Sequence, residues 1–402
     1  MKTLLIVLLF SFAVYAQWLQ TSLGEGQYGY NIYTNGSEIY AATLNGVYKT
    51  SDTGNPWINI GLQNRLVFDV ITSGQFILAA TEGTGPGVFR TSDNGLTWLD
   101  ASGISDKSVR AFAKNSSFLF ASTWGGGVFR SSDDGASWQS VGLTNEGFKS
   151  IYAAGEEIFA GGYKIYSSID NGSSWIERQL PYPAGDTWNF YYQNNILYAC
   201  DMGLYESNDL GNTWHLRYGV TFDSLGNATD SKIFKDILSY QNALIASVAF
   251  NSIMISYDGG TTWNSFNDGL INGWTFSGLV IKEPYIWALR DFFSNAYLRP
   301  LSEITSLQNE FSNVPSEYLL CQNYPNPFNP STKISWQSSA AGWQTLKVYD
   351  VLGNEVATLV DEYKPDGNYE VEFDAGELSS GIYFYKLIAG SFMETKKMLL
   401  MK

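Results

Sequence analysis

Thr91-Ser92-Asp93-Asn94-Gly95-Leu96-Thr97-Trp98 is one copy of a phrase that occurs six times with constant internal spacing: Asp, Gly two residues on, Trp five residues on. The copies are Asp52/Gly54/Trp57, Asp93/Gly95/Trp98, Asp133/Gly135/Trp138, Asp170/Gly172/Trp175, Asp209/Gly211/Trp214 and Asp258/Gly260/Trp263. A Ser or Thr stands two residues before every Asp. Successive tryptophans lie 41, 40, 37, 39 and 49 residues apart, a period that suits one four-stranded propeller blade. The chemistry is that of a hairpin turn: Asp accepts from the N–H groups just after it, Gly takes a positive φ, and Trp buries a large ring. A calcium loop needs more carboxylates than each copy supplies and a later Glu that is missing. The six aspartates are therefore read as structural, with no metal and no cofactor expected.

A second repeat gives the blade count. Two large apolar residues followed by Ala occur seven times, ending at Ala41, Ala79, Ala121, Ala160, Ala199, Ala246 and Ala288. Nine residues before each Ala stands another apolar residue: Ile32, Val70, Phe112, Ile151, Phe190, Ile237 and Leu279. These read as the inner two strands of seven blades. The seventh copy has no Asp phrase after it. Trp18 to Leu23, which matches the strand after each phrase, is expected to pair with the last blade and close the ring.

Residues 1–16 read as a secretory signal peptide: Lys2, an apolar run from Leu4 to Phe12, and Val14-Tyr15-Ala16 as cleavage site. No later segment approaches the ~20 apolar residues of a membrane-spanning helix. The composition, with 13 Trp, 26 Tyr, 24 Phe, 39 Gly and two Cys, fits an extracellular all-β protein. A net charge of −15 argues against a nucleic-acid partner, since phosphate binding needs clustered Lys and Arg. Cys200 sits in a small-residue slot and reads as a buried small hydrophobe, and the lone His215 has no metal-ligating companion. The expected architecture is a seven-bladed β-propeller over residues 17–302, a linker over 303–318, and a small immunoglobulin-like β-sandwich over 319–402.

Two resemblances follow from these motifs. The Asp phrase resembles the Asp-box, or BNR, repeat of sialidase-like propellers. Residues 319–402 resemble the type A C-terminal sorting domain of type IX secretion cargo, through Tyr324-Pro325-Asn326-Pro327, Leu378-Ser379-Ser380-Gly381-Ile382-Tyr383 and Lys396-Lys397-Met398. The second implies export through the type IX machinery to the cell surface or the medium.

The first implies that ligands meet the propeller face opposite the Asp-boxes, where the chain leads into each inner strand and turns between second and third strands. Asp69, Arg110, Trp124, Trp188, Asp236 and Arg290 are the candidates there, beside Tyr30, Asn31, Lys149, Tyr163, Asn189, Asp201, Lys235, Asp291 and Phe292. Rings with acids and amides suit a glycan or protein ligand. From box Trp to inner-strand apolar residue the spacing is 13 or 14 residues in the first three repeats but 23 from Trp214 to Ile237. The insert, Gly219 to Asp230, reads as a loop over the ligand face, with Phe222 and Asp223 as further contacts. The alternative is a glycoside hydrolase of the sialidase-like or xyloglucanase-like kind. Only Arg65, Arg110 and Arg290 offer a converging spread of arginines, and a single propeller lacks the cleft of the two-propeller xyloglucanases, so no catalytic residue is assigned. A single propeller of this kind also resembles the photosystem II assembly-factor family and sortilin-type peptide binders. The resulting expectation is a secreted or surface recognition module.

Overall fold

A computed structural model describes residues 17–402 apart from 25–27, 52–55, 84, 105–107, 182–184, 223–227, 272, 292, 294, 305–317, 341, 365–366 and 391. The expected signal peptide, Asp52 with Gly54, Asp223, Phe292 and most of the linker lie outside the described residues. The chain divides into two compact units, Met1–Ile304 and Thr305–Lys402, and is nearly all-β.

Among the described residues the first unit contains seven four-stranded antiparallel sheets. Sheet I comprises Gly29–Thr34, Ile39–Thr43, Gly46–Thr50 and Ile58–Asn59; sheet II comprises Leu66–Ser73, Phe76–Glu82, Val88–Thr91 and Leu99–Asp100. Sheets III to VI begin at Val109–Lys114, Phe148–Ala154, Asn189–Gln193 and Phe234–Tyr240, and repeat the same meander. Sheet VII takes Phe276–Lys282, Tyr285–Arg290 and Asn295–Pro300 from late in the chain and Leu19–Ser22 from its beginning. The first strand of each sheet packs on that of the next, and that of sheet VII on that of sheet I, so the sheets form a closed, propeller-like ring. In every sheet the apolar residue and the Ala nine positions later are cross-strand partners, from Ile32↔Ala41 to Leu279↔Ala288. Ala is required because the second strands are buried on both faces, leaving no room for a larger side chain there.

The ring closes through the expected segment: Leu19 pairs Leu298, Gln20 pairs Tyr297 and Thr21 pairs Ala296, while buried Trp18 donates its indole N–H to the Phe266 carbonyl at 2.7 Å. This covers the edge that Asn295–Pro300 would otherwise expose. The ring unit runs two residues past 302, because Ile304 is buried and its carbonyl accepts from the Tyr257 hydroxyl at 2.8 Å.

The five described Asp phrases share one hydrogen-bond circuit. The Ser or Thr hydroxyl two residues before the Asp accepts from the Gly N–H at 2.7–3.0 Å and donates to one Asp oxygen at 2.7–2.9 Å. Four residues after the Asp, a Ser or Thr gives its N–H to the same oxygen and its hydroxyl to the other, the latter at 2.5–2.7 Å. Gly95 has φ +86°, and a Cβ there would lie 1.8 Å from the Ile60 carbonyl of the preceding sheet. Glycine is thus needed for close approach as well as for the turn.

The second unit packs a three-stranded sheet (Leu319–Leu320, Ser331–Ser338, Gly367–Asp374) on a four-stranded one (Gly342–Tyr349, Glu355–Lys364, Gly381–Ala389, Phe392–Leu400) as an immunoglobulin-like sandwich. Its core gathers Phe328, Trp336, Leu346, Tyr385, Leu387 and Met398.

Candidate functional site

Six of the seven first strands carry a β-bulge at the same place, two residues before the recurring apolar position. The residues skipped by the ladder are Tyr30, Phe68, Arg110, Lys149, Lys235 and Ser277. In sheet V the equivalent residue is Trp188, whose N–H bonds the Cys200 carbonyl at 2.8 Å without a register shift. A bulge re-aims the side chain it releases. All seven side chains line one cavity of about 820 Å³ within the ring.

Around this mouth, cations and rings alternate. Tyr30 meets Phe68 edge to face at 5.1 Å. The Arg110 guanidinium lies 3.8 Å from the Phe68 ring centre and 5.5 Å from that of Trp124, and pairs with Glu82 at 3.2 Å. Lys149 is 5.9 Å from the Trp124 centre and 3.7 Å from that of Trp188, and pairs with Asp186 at 2.7 Å. Lys235 reaches Trp188 at 3.0 Å. Burial pushes the Lys235 ammonium down to about 8, with Lys149 adding to the depression and Asp291 opposing it. Trp124 stands at the lip, 50% exposed.

One residue further along the same strands, Asp69 and Asp236 form two equivalent clamps between sheets. Asp69 accepts from Asn31 of sheet I at 2.7 Å, from its own neighbour Val70 N–H at 2.8 Å, and from Phe112 N–H of sheet III at 2.7 Å. Asp236 accepts from Asn189 of sheet V at 2.6 Å, from Ile237 N–H at 2.8 Å, and from Leu279 N–H of sheet VII at 2.6 Å. Burial raises both carboxyls to about 6 against the lowering effect of these bonds. Each clamp ties three consecutive sheets, and both oxygens of each carboxylate are engaged. Asn31 in turn needs a small neighbour: a Cβ on Gly278 would come within 2.8 Å of its side-chain oxygen.

Of the eight ligand-face residues expected from the sequence, Asp69, Arg110, Trp124, Trp188 and Asp236 line the cavity. Arg290 does not. It is buried between the Trp274 and Phe293 rings, at 3.4 and 3.5 Å from their centres, although its neighbour Asp291 lines the cavity. Phe222 belongs to a short hairpin, Val220–Phe222 with Ala228–Ser231, where a loop was expected; its side chain and all of Asp223 lie outside the described residues. Phe68 was not recognised from the sequence, and Lys149 and Lys235 were noted without being selected. Aligning the seven repeats on Ile32, Val70, Phe112 and their equivalents would have placed all three in the mouth position.

Residues 322–401 match the family model for the secretion system C-terminal sorting domain. The C-terminal unit carries a type IX sorting domain. The type IX sorting domain marks the chain as a secreted or cell-surface protein that engages the type IX secretion machinery. No curated protein matches the chain in sequence. Among solved structures the chain is similar to YCF48 bound to a D1 peptide (16% identity, TM-score 0.55, covering 71% of this chain and 97% of that one). It is similar as well to YCF48 from Cyanidioschyzon merolae (16%, 0.55, 72% and 99%) and to the WD40 β-propeller domain of Doa1 (8%, 0.55, 71% and 98%). At these identities the likeness is one of fold: the first unit is propeller-like.

Proposed function

We propose that the ring is a seven-bladed propeller of the Asp-box kind and that it serves as a recognition module at the cell surface or in the medium, holding a glycan or protein ligand at the mouth of its central cavity. The observation that carries this reading is the set of bulges that turns the equivalent residue of successive sheets into one cavity, a regularity that strand pairing alone does not require. YCF48, similar in fold, has been captured with a peptide, which supports a protein ligand as one of the two classes. The hydrolase alternative loses support, because the carboxylates best placed to serve as an acid and base pair hold backbone and amide donors with both oxygens.

In this reading residues 1–16 are a signal peptide, residues 17–302 bind, residues 303–318 link, and residues 319–402 deliver. A glycan array and a peptide array probed with the mature full chain test the binding role: hits lost in Trp124→Ala and Trp188→Ala with unchanged melting support it, and hits that survive both substitutions refute it. Truncation after residue 318 tests delivery. The shortened chain should stay behind the outer membrane of a type IX competent host while keeping the melting transition of the ring; surface display of the truncated chain would remove that role.

A further inference from the structure

The two sheets of the C-terminal unit turn unlike faces outward. From the three-stranded sheet Lys333, Ser335 and Gln337 point out, opposite Glu372, Glu370 and Asn368, a hydrated surface whose lysine is paired with Glu370 at 2.7 Å. The four-stranded sheet does the reverse. At its outward positions Trp343, Tyr363 and Met393 are 61%, 64% and 62% exposed, and Ile388 is 39% exposed. Trp343 and Tyr363 are cross-strand partners, as are Ile388 and Met393, and Ile388 also partners Thr345, next but one to Trp343 along its strand. The four side chains therefore form one patch across all four strands at one end of the sheet, where the Trp343 indole is fixed by its N–H to the Asp361 carboxylate at 2.8 Å. Large apolar groups gathered in this way on a surface mark a site of interaction.

Beside the patch stands a second anomaly. Lys347 and Lys386 are direct cross-strand partners on the same outward face, a like-charge arrangement that works against the pairing of their strands. Lys397 is a diagonal neighbour of Lys386, whose partner on that strand is Thr395. Glu355 pairs with Lys347 at 3.0 Å, while Lys386 and Lys397 are in no ion pair among the described residues. Beyond the lysines the face turns apolar again at Phe384, the partner of Tyr349, and at Ile382, which is 42% exposed. A cationic band thus crosses the middle of the face, with apolar side chains on both sides of it, in a chain whose net charge is −15.

The fold gains nothing from repelling lysines at the centre of a sheet; a partner with carboxylates at that place would turn the repulsion into attraction. A bilayer fits the pattern less well, because a face that lies in a membrane surface keeps its cations around an apolar centre, and here the order is inverted. The domain that carries this face is the one that engages the type IX machinery. We propose that the outward face of the four-stranded sheet is the surface by which the sorting domain docks on that machinery. Its partner there is a protein component that offers apolar groups to the Trp343 patch and carboxylates to Lys386 and Lys397. This rests on the delivery role given above to residues 319–402 and specifies the face that performs it.

The test follows the full chain in a type IX competent host, with surface and periplasmic amounts measured separately. Trp343→Ser/Met393→Ser and Lys386→Glu/Lys397→Glu should each lower surface display about tenfold or more, the chain accumulating behind the outer membrane and the melting of the purified proteins staying unchanged. Should the serine pair lower melting, the lysine pair, which removes no apolar group from the patch, decides alone. Glu370→Gln/Glu372→Gln on the opposite face should stay within about twofold of the parent. Carbodiimide, which joins a lysine to a carboxylate in direct contact, should couple Lys386 or Lys397 of the parent chain to an acidic residue of a second protein, and the serine pair should abolish that coupling. Undiminished display of both face variants, an equal loss in the opposite-face variant, or coupling only to another copy of this chain would overturn the inference. So would binding of the purified chain to anionic phospholipid vesicles that Lys386→Glu/Lys397→Glu abolishes. Retention of the chain truncated after residue 318, together with normal display of both face variants, would keep the delivery role and discard only this face.

Discussion

Two sets of aspartates serve this ring under opposite electrostatic regimes. At the outer rim Asp170 and Asp209 are exposed and Asp93 is half-buried, and all three accept from hydroxyls and N–H groups of their own turns, which holds their carboxyls down at about 2. In the channel Asp69 and Asp236 also accept three hydrogen bonds each, yet burial lifts them to about 6. The number of donors is similar; the solvent is not. Hydrogen bonds favour the ionised form in both places, and desolvation outweighs them only where water is excluded. A rim aspartate shapes one turn, whereas a channel aspartate couples three sheets. The two regions meet at Phe112, whose N–H is held by Asp69 and whose ring stacks on Trp138 of the third Asp phrase at 5.9 Å between ring centres.

The largest effect is expected from removing the buried ring of an Asp phrase. Trp138→Ala should cost about 3–5 kcal/mol in denaturant unfolding, as a large-to-small change at a buried aromatic. A loss below about 1 kcal/mol would mean that the phrase is a surface ornament.

Next comes the clamp. Asp69→Ala strands the Phe112 and Val70 amides and the Asn31 side chain, and should cost on the order of 3 kcal/mol. Because both residues hold Phe112, the double variant Asp69→Ala/Trp138→Ala should be non-additive, with a coupling of about 0.5–1 kcal/mol; strict additivity would show that rim and channel are independent.

Asp93→Ala should lower the melting temperature by less than half as much as Asp69→Ala, since water can serve the turn donors that Asp93 releases. Equal losses would erase the distinction between the regions.

The smallest effect is a dependence on pH with two opposed limbs. Asp69 and Asp236 bind protons more readily in the folded chain than at the ordinary value of 3.8, so their contribution is favourable at acid pH and fades as pH rises through about 6. The rim aspartates behave in the reverse sense: their contribution is present above about 4 and is lost as pH falls toward about 2. Melting curves should therefore show a gain on going from pH 7 to pH 5 that Asp69→Asn/Asp236→Asn removes, and a loss below pH 4 that the double variant retains. A gain that persists in the double variant would place the titrating groups elsewhere.

Repetition made the fold legible. Each Asp phrase is a local circuit, complete within a few residues, and each apolar residue nine positions before an Ala is one rung of a ladder, so periodicity disclosed the strands and their pairing, and even closure by Trp18 to Leu23. The Tyr324-Pro325 phrase disclosed the sorting domain for the same reason, being contiguous in sequence. What the ring alone decided were the relations between repeats: that a bulge frees Phe68, Lys149 and Lys235 into the mouth, that Asp69 and Asp236 are occupied by neighbouring sheets, and that Arg290 is held between two rings. Those outcomes depend on which side chains of residues some forty positions apart come within hydrogen-bond reach, and on how much water remains between them, quantities that no local pattern encodes.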